Sequence, residues 1–241
     1  MVTAPASENV LFERRNGLTC YRGLPLDRRR ITIAGDAFDM IALKDAAALL
    51  DDAEFVRECE KTDRLPYGFE LWPAALMLAE HLYRSEPAKG RRAIELGCGV
   101  GLVSIAAART GWCIVATDCD PVPLQFAEFN AAANGVEIQA FELLDWHNPL
   151  TEFRFPRVLA ADVLYQRSDH ASILDCIDQL LEPEGMAIIA DPNRGVADDF
   201  VPLAETFKFC VEIIPAAASL DGAAPVAGRL FELRRPSLPM T

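Results

Sequence analysis

The sequence is poor in the patterns that hold metals and disulfides. It has only three histidines, His81, His147 and His170, and none of them form a paired helical spacing suited to a metal. Its seven cysteines (Cys20, Cys59, Cys98, Cys113, Cys119, Cys176 and Cys210) are odd in number, include no Cys-x-x-Cys, and several sit inside apolar runs. This excludes a disulfide frame or a zinc site and predicts reduced, buried thiols in a cytoplasmic protein with no metal. No apolar run approaches membrane-spanning length, and the opening MVTAPASENV lacks a basic-then-apolar signal, so no membrane partner is expected. Basic residues are also scarce: 23 Lys+Arg against 36 Asp+Glu give a net charge of -13. Such a surface repels nucleic-acid phosphates, so no nucleic-acid partner is expected; it suits basic partners, or serves solubility alone. There are no repeats and no long low-complexity tract, and a monomer is expected.

What the chain does have is alternation. From about Leu76 to Leu203, short aliphatic runs alternate with amphipathic helical patterns. The runs are RAIEL (92–96), CIVAT (113–117), EIQAFEL (137–143), RVLAA (157–161) and MAIIA (186–190), which read as buried strands. LVSIAAART closes at Gly111, PLQFAEFNAAANG opens near Pro123, and SDHASILDCIDQLLEPEG runs from a capping Ser168 or Asp169 to Pro183 and Gly185. A helix is predicted over 198–206. FKFCVEII and RLFELRR then read as two neighbouring antiparallel strands. This is an α/β pattern, with a mainly parallel sheet covered on both faces. Before it, residues 1–65 read as an extension, a lid or an addition to the sheet. They hold a hairpin around Gly35-Asp36 and a helix over DAAALLDDAEFVRECEKTD, and residues 66–241 form the main domain.

The most informative stretch is RRAIELGCGVGLVSIAAARTG, with Gly97, Gly99 and Gly101 between the first strand and its helix. In open parallel sheets, ligands bind at the carboxyl ends of the strands. The spacing is GxGxG with Leu102 following, whereas a dinucleotide site wants GxGxxG, and no Gly-Lys-Ser/Thr marks a phosphate loop. Glu95, two residues before the first glycine, opposes a polyphosphate and favours an ammonium. Asp118 ends the next strand, where an acid accepts bonds from both hydroxyls of a ribose. Asp145 follows the third strand, placed to accept from an adenine amine, with Trp146 as an apolar plate. Each alone has a bland alternative in a turn or loop. In this order at three successive strand ends, they describe S-adenosylmethionine.

The motifs ELGCGVGLVSIAAA, VATDCDP and FNAAANGV resemble the class I S-adenosylmethionine-dependent methyltransferases. ELWPAALMLAEHL, LLDW and AADVLY resemble, more narrowly, the seven-β-strand protein lysine methyltransferases that carry an Asp-x-x-Tyr motif. ADPNRG is similar to bacterial members of that group. The resemblance covers residues 66–235. It implies a doubly wound seven-stranded sheet of order 3-2-1-4-5-7-6 with the seventh strand antiparallel. It also implies S-adenosyl-L-methionine as cofactor, S-adenosyl-L-homocysteine as product, and a protein substrate methylated on nitrogen, lysine favoured.

Carried over, the methionine-side loop would be Glu95, Gly97, Cys98, Gly99 and Gly101. Asp118 would hold the ribose, Asp145 and Trp146 the adenine, and Trp72 would flank the pocket. Asp162 and Tyr165 would be catalytic, where the substrate side chain enters, and Ala161 would line that pocket through its backbone. From the residues alone, Trp72 can equally be a core tryptophan, Asp162 a backbone cap, Tyr165 a wall and Cys98 a small loop filler. Arg194 reads as a surface turn residue without a catalytic role. A small-molecule N- or O-methyltransferase and an inactive cofactor-binding module stay open as alternatives.

Overall fold

The computed structural model describes residues 12–15, 18–62, 65–149, 153–220 and 222–236. The opening decapeptide, read above as lacking a signal, lies outside them.

The N-terminal part forms a four-stranded antiparallel sheet, β1 (Glu13–Arg15), β2 (Leu18–Tyr21), β3 (Leu24–Ile33) and β4 (Asp36–Leu43), joined in sequence order. The expected hairpin is present, but its loop is Ala34-Gly35, one residue earlier than read. Both loop residues have positive φ (50° and 93°), as a two-residue turn matched to strand twist requires. The single helix expected over 45–63 is broken. A 3-10 segment covers Ala46–Asp51, and α1 (Ala53–Thr62) starts afresh because Asp52 Oδ1 accepts from Glu54 N at 2.8 Å and Phe55 N at 3.3 Å.

The rest is the expected α/β alternation. α2 (Pro73–Arg84) begins at Pro73, where a missing N–H costs nothing. Then come β5 (Arg92–Leu96), α3 (Leu102–Arg109), β6 (Cys113–Asp118), α4 (Pro121–Ala133) and β7 (Ala140–Leu143). They are followed by β8 (Phe155–Ala161), α5 (His170–Leu180), β9 (Leu181–Asp191), α6 (Phe200–Thr206), β10 (Cys210–Ala218) and β11 (Val226–Arg234). The seven strands β5–β11 form one sheet of order β10-β11-β9-β8-β5-β6-β7. Counted within that sheet this is 3-2-1-4-5-7-6, and β11 is antiparallel to both neighbours.

Period-2 alternation divides the core between the two faces. Ala93, Ile188 and Ala190 join α2, α3 and the N-terminal sheet in one cluster. Ile94, Leu96, Ala187 and Ile189 join α5 and α6 in the other.

Several element boundaries differ from the sequence reading. β7 starts at Ala140, three residues late, because the turn after α4 through Gly135 (φ 63°) uses the preceding residues. α5 stops at Leu180, and β9 opens at once. Its register jumps from Leu181 opposite Phe155 to Met186 opposite Arg157, so residues 182–185 bulge and Pro183 needs no ladder N–H. The predicted 198–206 helix is a 3-10 turn over Gly195–Asp199 followed by α6.

The two sheets are tied together by two asparagines one helical turn apart, Asn130 on α4 and Asn134 at its C-terminal cap. Asn130 is fully buried. Its Oδ1 accepts from Ile41 N at 2.8 Å, and its Nδ2 donates to Ile41 O at 3.0 Å and Val100 O at 2.8 Å. Asn134 does the same for Asp39, accepting from its N at 3.0 Å and donating to its O at 2.8 Å. Residues i and i+2 of a strand edge and i and i+4 of a helix repeat at nearly the same rise, so one helix face satisfies the open edge of β4. We expect Asn130→Ala to cost ~2–4 kcal/mol, because buried backbone groups of Ile41 and Val100 lose their partner. Asn134→Ala, at a half-buried position, should cost under half of that. Urea denaturation of both variants checks this, and equal losses would contradict it.

Candidate active site

Four neighbouring strands end on buried acids. Glu95 precedes the last residue of β5, Asp118 is the last of β6, Asp162 follows β8, and Asp191 is the last of β9; all are at most 8% exposed. They sit at the carboxyl edge, where the strand order reverses between β5 and β8 and a crevice opens. The crevice is a cavity of about 490 Å³. Among the sequence-predicted residues, Trp72, Glu95, Gly97, Cys98, Gly99, Asp118, Asp145, Trp146, Ala161, Asp162 and Tyr165 all line it.

Gly101 does not line it. It turns the chain into α3 at φ 90°, and a Cβ there would stand 2.7 Å from Ala127 Cβ, so its smallness serves the contact with α4. Gly99 (φ 50°) lines the cavity, but its other side is closed by chain: a Cβ would meet Gly68 O at 3.0 Å. The loop is therefore glycine-rich because all three positions have positive φ and each packs closely on a neighbour: Gly97 on Val163, Gly99 on the Gly68 backbone and Gly101 on Ala127.

Glu95 is held by Ser104 of α3, whose hydroxyl donates to Glu95 Oε2. Burial pushes its carboxyl up to about 8; the Ser104 bonds pull the other way and nearby Asp118 adds to the rise. Asp118 Oδ2 accepts from Gly99 N at 2.9 Å and Oδ1 from Asp120 N at 3.0 Å; its pKa too is raised, mainly by burial. Among the described residues neither acid is within ion-pair distance of a cation, so the site fits a ligand that brings a positive charge and hydroxyl donors. Asp145 is more open. Its Oδ1 accepts from His147 N at 2.9 Å and lies 3.0 Å from His147 Nδ1. The same imidazole reaches towards Asp169 at 3.6 Å, at the start of α5. Trp146 is buried beside it, and its Nε1 has no hydrogen-bond partner among the described residues. Cys98 is buried and burial holds its thiol protonated, which agrees with a loop filler.

A second cavity of about 360 Å³, lined by Tyr67, Trp72, Asp162, Tyr165, Gln166 and Arg194, shares all of these but Arg194 with the crevice. Trp72 is half-buried, not a core residue. Its Nε1 donates to Tyr67 O at 2.8 Å, and Tyr67 meets Trp72 and Tyr165 edge to face at 6.1 and 5.2 Å. Burial raises the Tyr165 hydroxyl, which stays neutral. Asp162 adopts a left-handed backbone (φ 59°), a conformation an aspartate tolerates better than most side chains.

Sequence reasoning passed over Tyr67, Ser104 and, above all, Arg194. Arg194 Nε donates to Asp162 Oδ1 at 2.7 Å, so the residue read as a surface turn is an ion-pair partner of the predicted catalytic acid. The signal was available: a carboxylate ending an apolar strand needs a partner, and ADPNRG ends the adjacent strand.

This fold, with acids at successive strand tips and a glycine bend, defines the class of S-adenosylmethionine-dependent methyltransferases. One solved member with this fold is the N-methyltransferase NodS from Bradyrhizobium japonicum in complex with S-adenosyl-L-homocysteine. It superposes with a TM-score of 0.56 at 16% identity, over 71% of this chain and 92% of that one.

Within the class, the profile of the lysine methyltransferase family matches residues 53–205, and the chain belongs to that family. Its relatives divide by substrate. A ubiquinone biosynthesis O-methyltransferase of Xylella fastidiosa is 29% identical over 140 residues, 56% of this chain and 55% of that protein. The protein-lysine N-methyltransferase rrg1 of Schizosaccharomyces pombe is 29% identical over 143 residues, 53% of this chain and 47% of that protein. The chain thus spans about half the length of these curated relatives.

The geometry makes a proton-linked prediction. The family's cofactor is S-adenosylmethionine, and its ammonium is best matched by ionised Glu95. If Glu95 takes that place, its carboxyl, which burial raises to about 8 against an ordinary 4.5, is expected to lose its proton on binding. Calorimetry of S-adenosylhomocysteine at pH 7, in buffers of different ionisation enthalpy, should show release of roughly one proton. The raised pKa also means that folding stability falls as pH climbs from the ordinary value through about 8. Glu95→Gln should remove the proton release and weaken binding by about tenfold or more; binding by wild type without proton release would contradict this assignment.

Proposed function

We propose that this chain transfers a methyl group from S-adenosylmethionine to an amine, with a protein lysine the favoured acceptor. The cofactor, when bound, supplies a sulfonium methyl for in-line displacement. The chain's own task is alignment and charge placement. The carrying observation is the second cavity. It adjoins the cofactor crevice, shares Trp72, Asp162 and Tyr165 with it, and is walled by three aromatic rings and one buried carboxylate. Rings and an acid suit an alkylammonium.

An amine must shed its proton before it attacks. For lysine at pH 7 that costs about 4.6 kcal/mol from a free pKa of about 10.4. Asp162 favours the charged form and so cannot lower this cost by charge alone; its part is to draw in and align the amine. Desolvation between Tyr67, Trp72 and Tyr165 works in the opposite direction and favours the neutral amine. The acceptor loses one proton, which leaves through water. A net charge of -13 suits a basic protein surface as partner.

A metabolite O-methyltransferase is the second reading, favoured by the ubiquinone relatives. Against it, the six residues lining the second cavity offer a hydroxyl acceptor no imidazole, and their one carboxylate is engaged by a guanidinium. Incubation of the protein and methyl-labelled cofactor with cell lysate separates the readings. Label in a protein band, acid-stable and on lysine, supports the proposal. Label in the small-molecule fraction supports the alternative, and no label points to a cofactor-binding module. Asp162→Asn should reduce protein labelling by about 100-fold while S-adenosylhomocysteine affinity stays within about twofold of wild type. A parallel loss of cofactor affinity would place Asp162 in the cofactor site instead.

A further inference from the structure

Asp162 cannot serve an acceptor amine in the state the structure shows. Its Oδ1 is bonded to Arg194 Nε at 2.7 Å. Its Oδ2 is sealed from solvent and has no hydrogen-bond partner among the described residues. The carboxylate that should greet a cation is thus covered on one oxygen by a guanidinium and on the other by the protein interior.

Arg194 itself is placed as a cation ligand would be. Its guanidinium carbon lies 5.9 Å from the Trp72 ring centroid while its Nε meets the acid. Its backbone is fixed independently: its N donates to Asp191 Oδ1 at 2.9 Å, and its carbonyl accepts from Arg229 Nη2 at 3.1 Å. Arg229 in turn pairs with Asp191 at 3.3 Å and with Asp198 at 2.9 Å. The side chain is freer than the backbone. It is 35% exposed, its terminal amino groups find no hydrogen-bond partner among the described residues, and about 360 Å³ of cavity adjoins it. The side chain can therefore leave the acid without disturbing the turn that carries it.

We propose that the second cavity is a binding site for an alkylammonium group, and that Arg194, in the wall of that cavity, holds Asp162 as an internal stand-in which the acceptor's amine must displace. The inference rests on the amine reading above and extends it to selection. A neutral acceptor gains nothing on Asp162 to offset breaking the Arg194 pair, whereas an ammonium exchanges one ion pair for another. Arg194 is then a specificity-determining residue, although it takes no part in methyl transfer.

The test uses the full chain saturated with S-adenosylhomocysteine and titrated with n-butylammonium, a lysine side-chain fragment, with uncharged n-butanol as the control. Arg194→Gln should bind n-butylammonium about tenfold more tightly than wild type, because the competing guanidinium is gone, and n-butanol should show no such gain. In wild type, the Arg194 Nε–H resonance, held at an ion-paired position by Asp162, should move to that of a free arginine as the amine saturates. This second reading needs no variant and stands if Arg194→Gln does not fold. Binding of the amine with an unmoved Nε–H signal would overturn displacement, as would equal affinity in the two proteins. Absence of amine binding in both, with the S-adenosylhomocysteine complex intact, would overturn the cation site while leaving the methyltransferase reading standing. Failure to form that complex would sink both.

Discussion

A parallel sheet that buries carboxylates at the ends of adjacent strands must find them compensation, and the molecule does so in two different ways. At the β8 and β9 ends, Asp162 and Asp191 are answered from within by Arg194 and Arg229. At the β5 and β6 ends, Glu95 and Asp118 are answered, among the described residues, only by hydroxyl and backbone donors. Burial of an ionised acid without a counter-charge is costly enough that the group tends to keep its proton. The uncompensated half of the edge is therefore a standing demand for a cationic ligand. The compensated half is a site already filled.

This division orders the chemistry. In the proposed reading, the donor half lies under the glycine bend and would face a ligand that brings a positive charge the described residues do not supply there. In the same proposed reading, the acceptor half keeps its acid occupied by Arg194, so charge on the incoming group, more than its shape, would decide whether the pocket opens. The N-terminal sheet contributes through the wall it supports. Asn130 joins β4 to the carbonyl of Val100 in the glycine loop, and Gly68, whose carbonyl touches Gly99, carries Tyr67 beside it into the acceptor pocket. A disturbance of the extension would thus be felt at the bend through Asn130.

Much of this was legible in the sequence, for local reasons. Strands β5, β6 and β8 announce themselves as short aliphatic runs, and the acids at their tips follow directly in the chain. The family's strand order and its reversed seventh strand were implied by resemblance and are present. What was not legible depended on partners remote in sequence. The Asp162–Arg194 pair spans 32 residues. The reason for Gly101 lies in Ala127, on another helix. β9 begins inside a Leu-Glu-Pro-Glu-Gly stretch that reads as a helix stop, because a bulge tolerates the proline. β1 and β2 are short strands with little alternation, and only their neighbours define them.

The central claim is that two buried acids with no cation beside them among the described residues, and a tightly packed glycine bend, make a cradle for a positively charged adenosyl donor. Calorimetric titration of the pure, folded chain with S-adenosylmethionine, set against a nicotinamide dinucleotide, tests it most directly. Saturable one-to-one uptake of the sulfonium, with no heat from the dinucleotide, is the result the account predicts. Uptake of the dinucleotide without the sulfonium would contradict it.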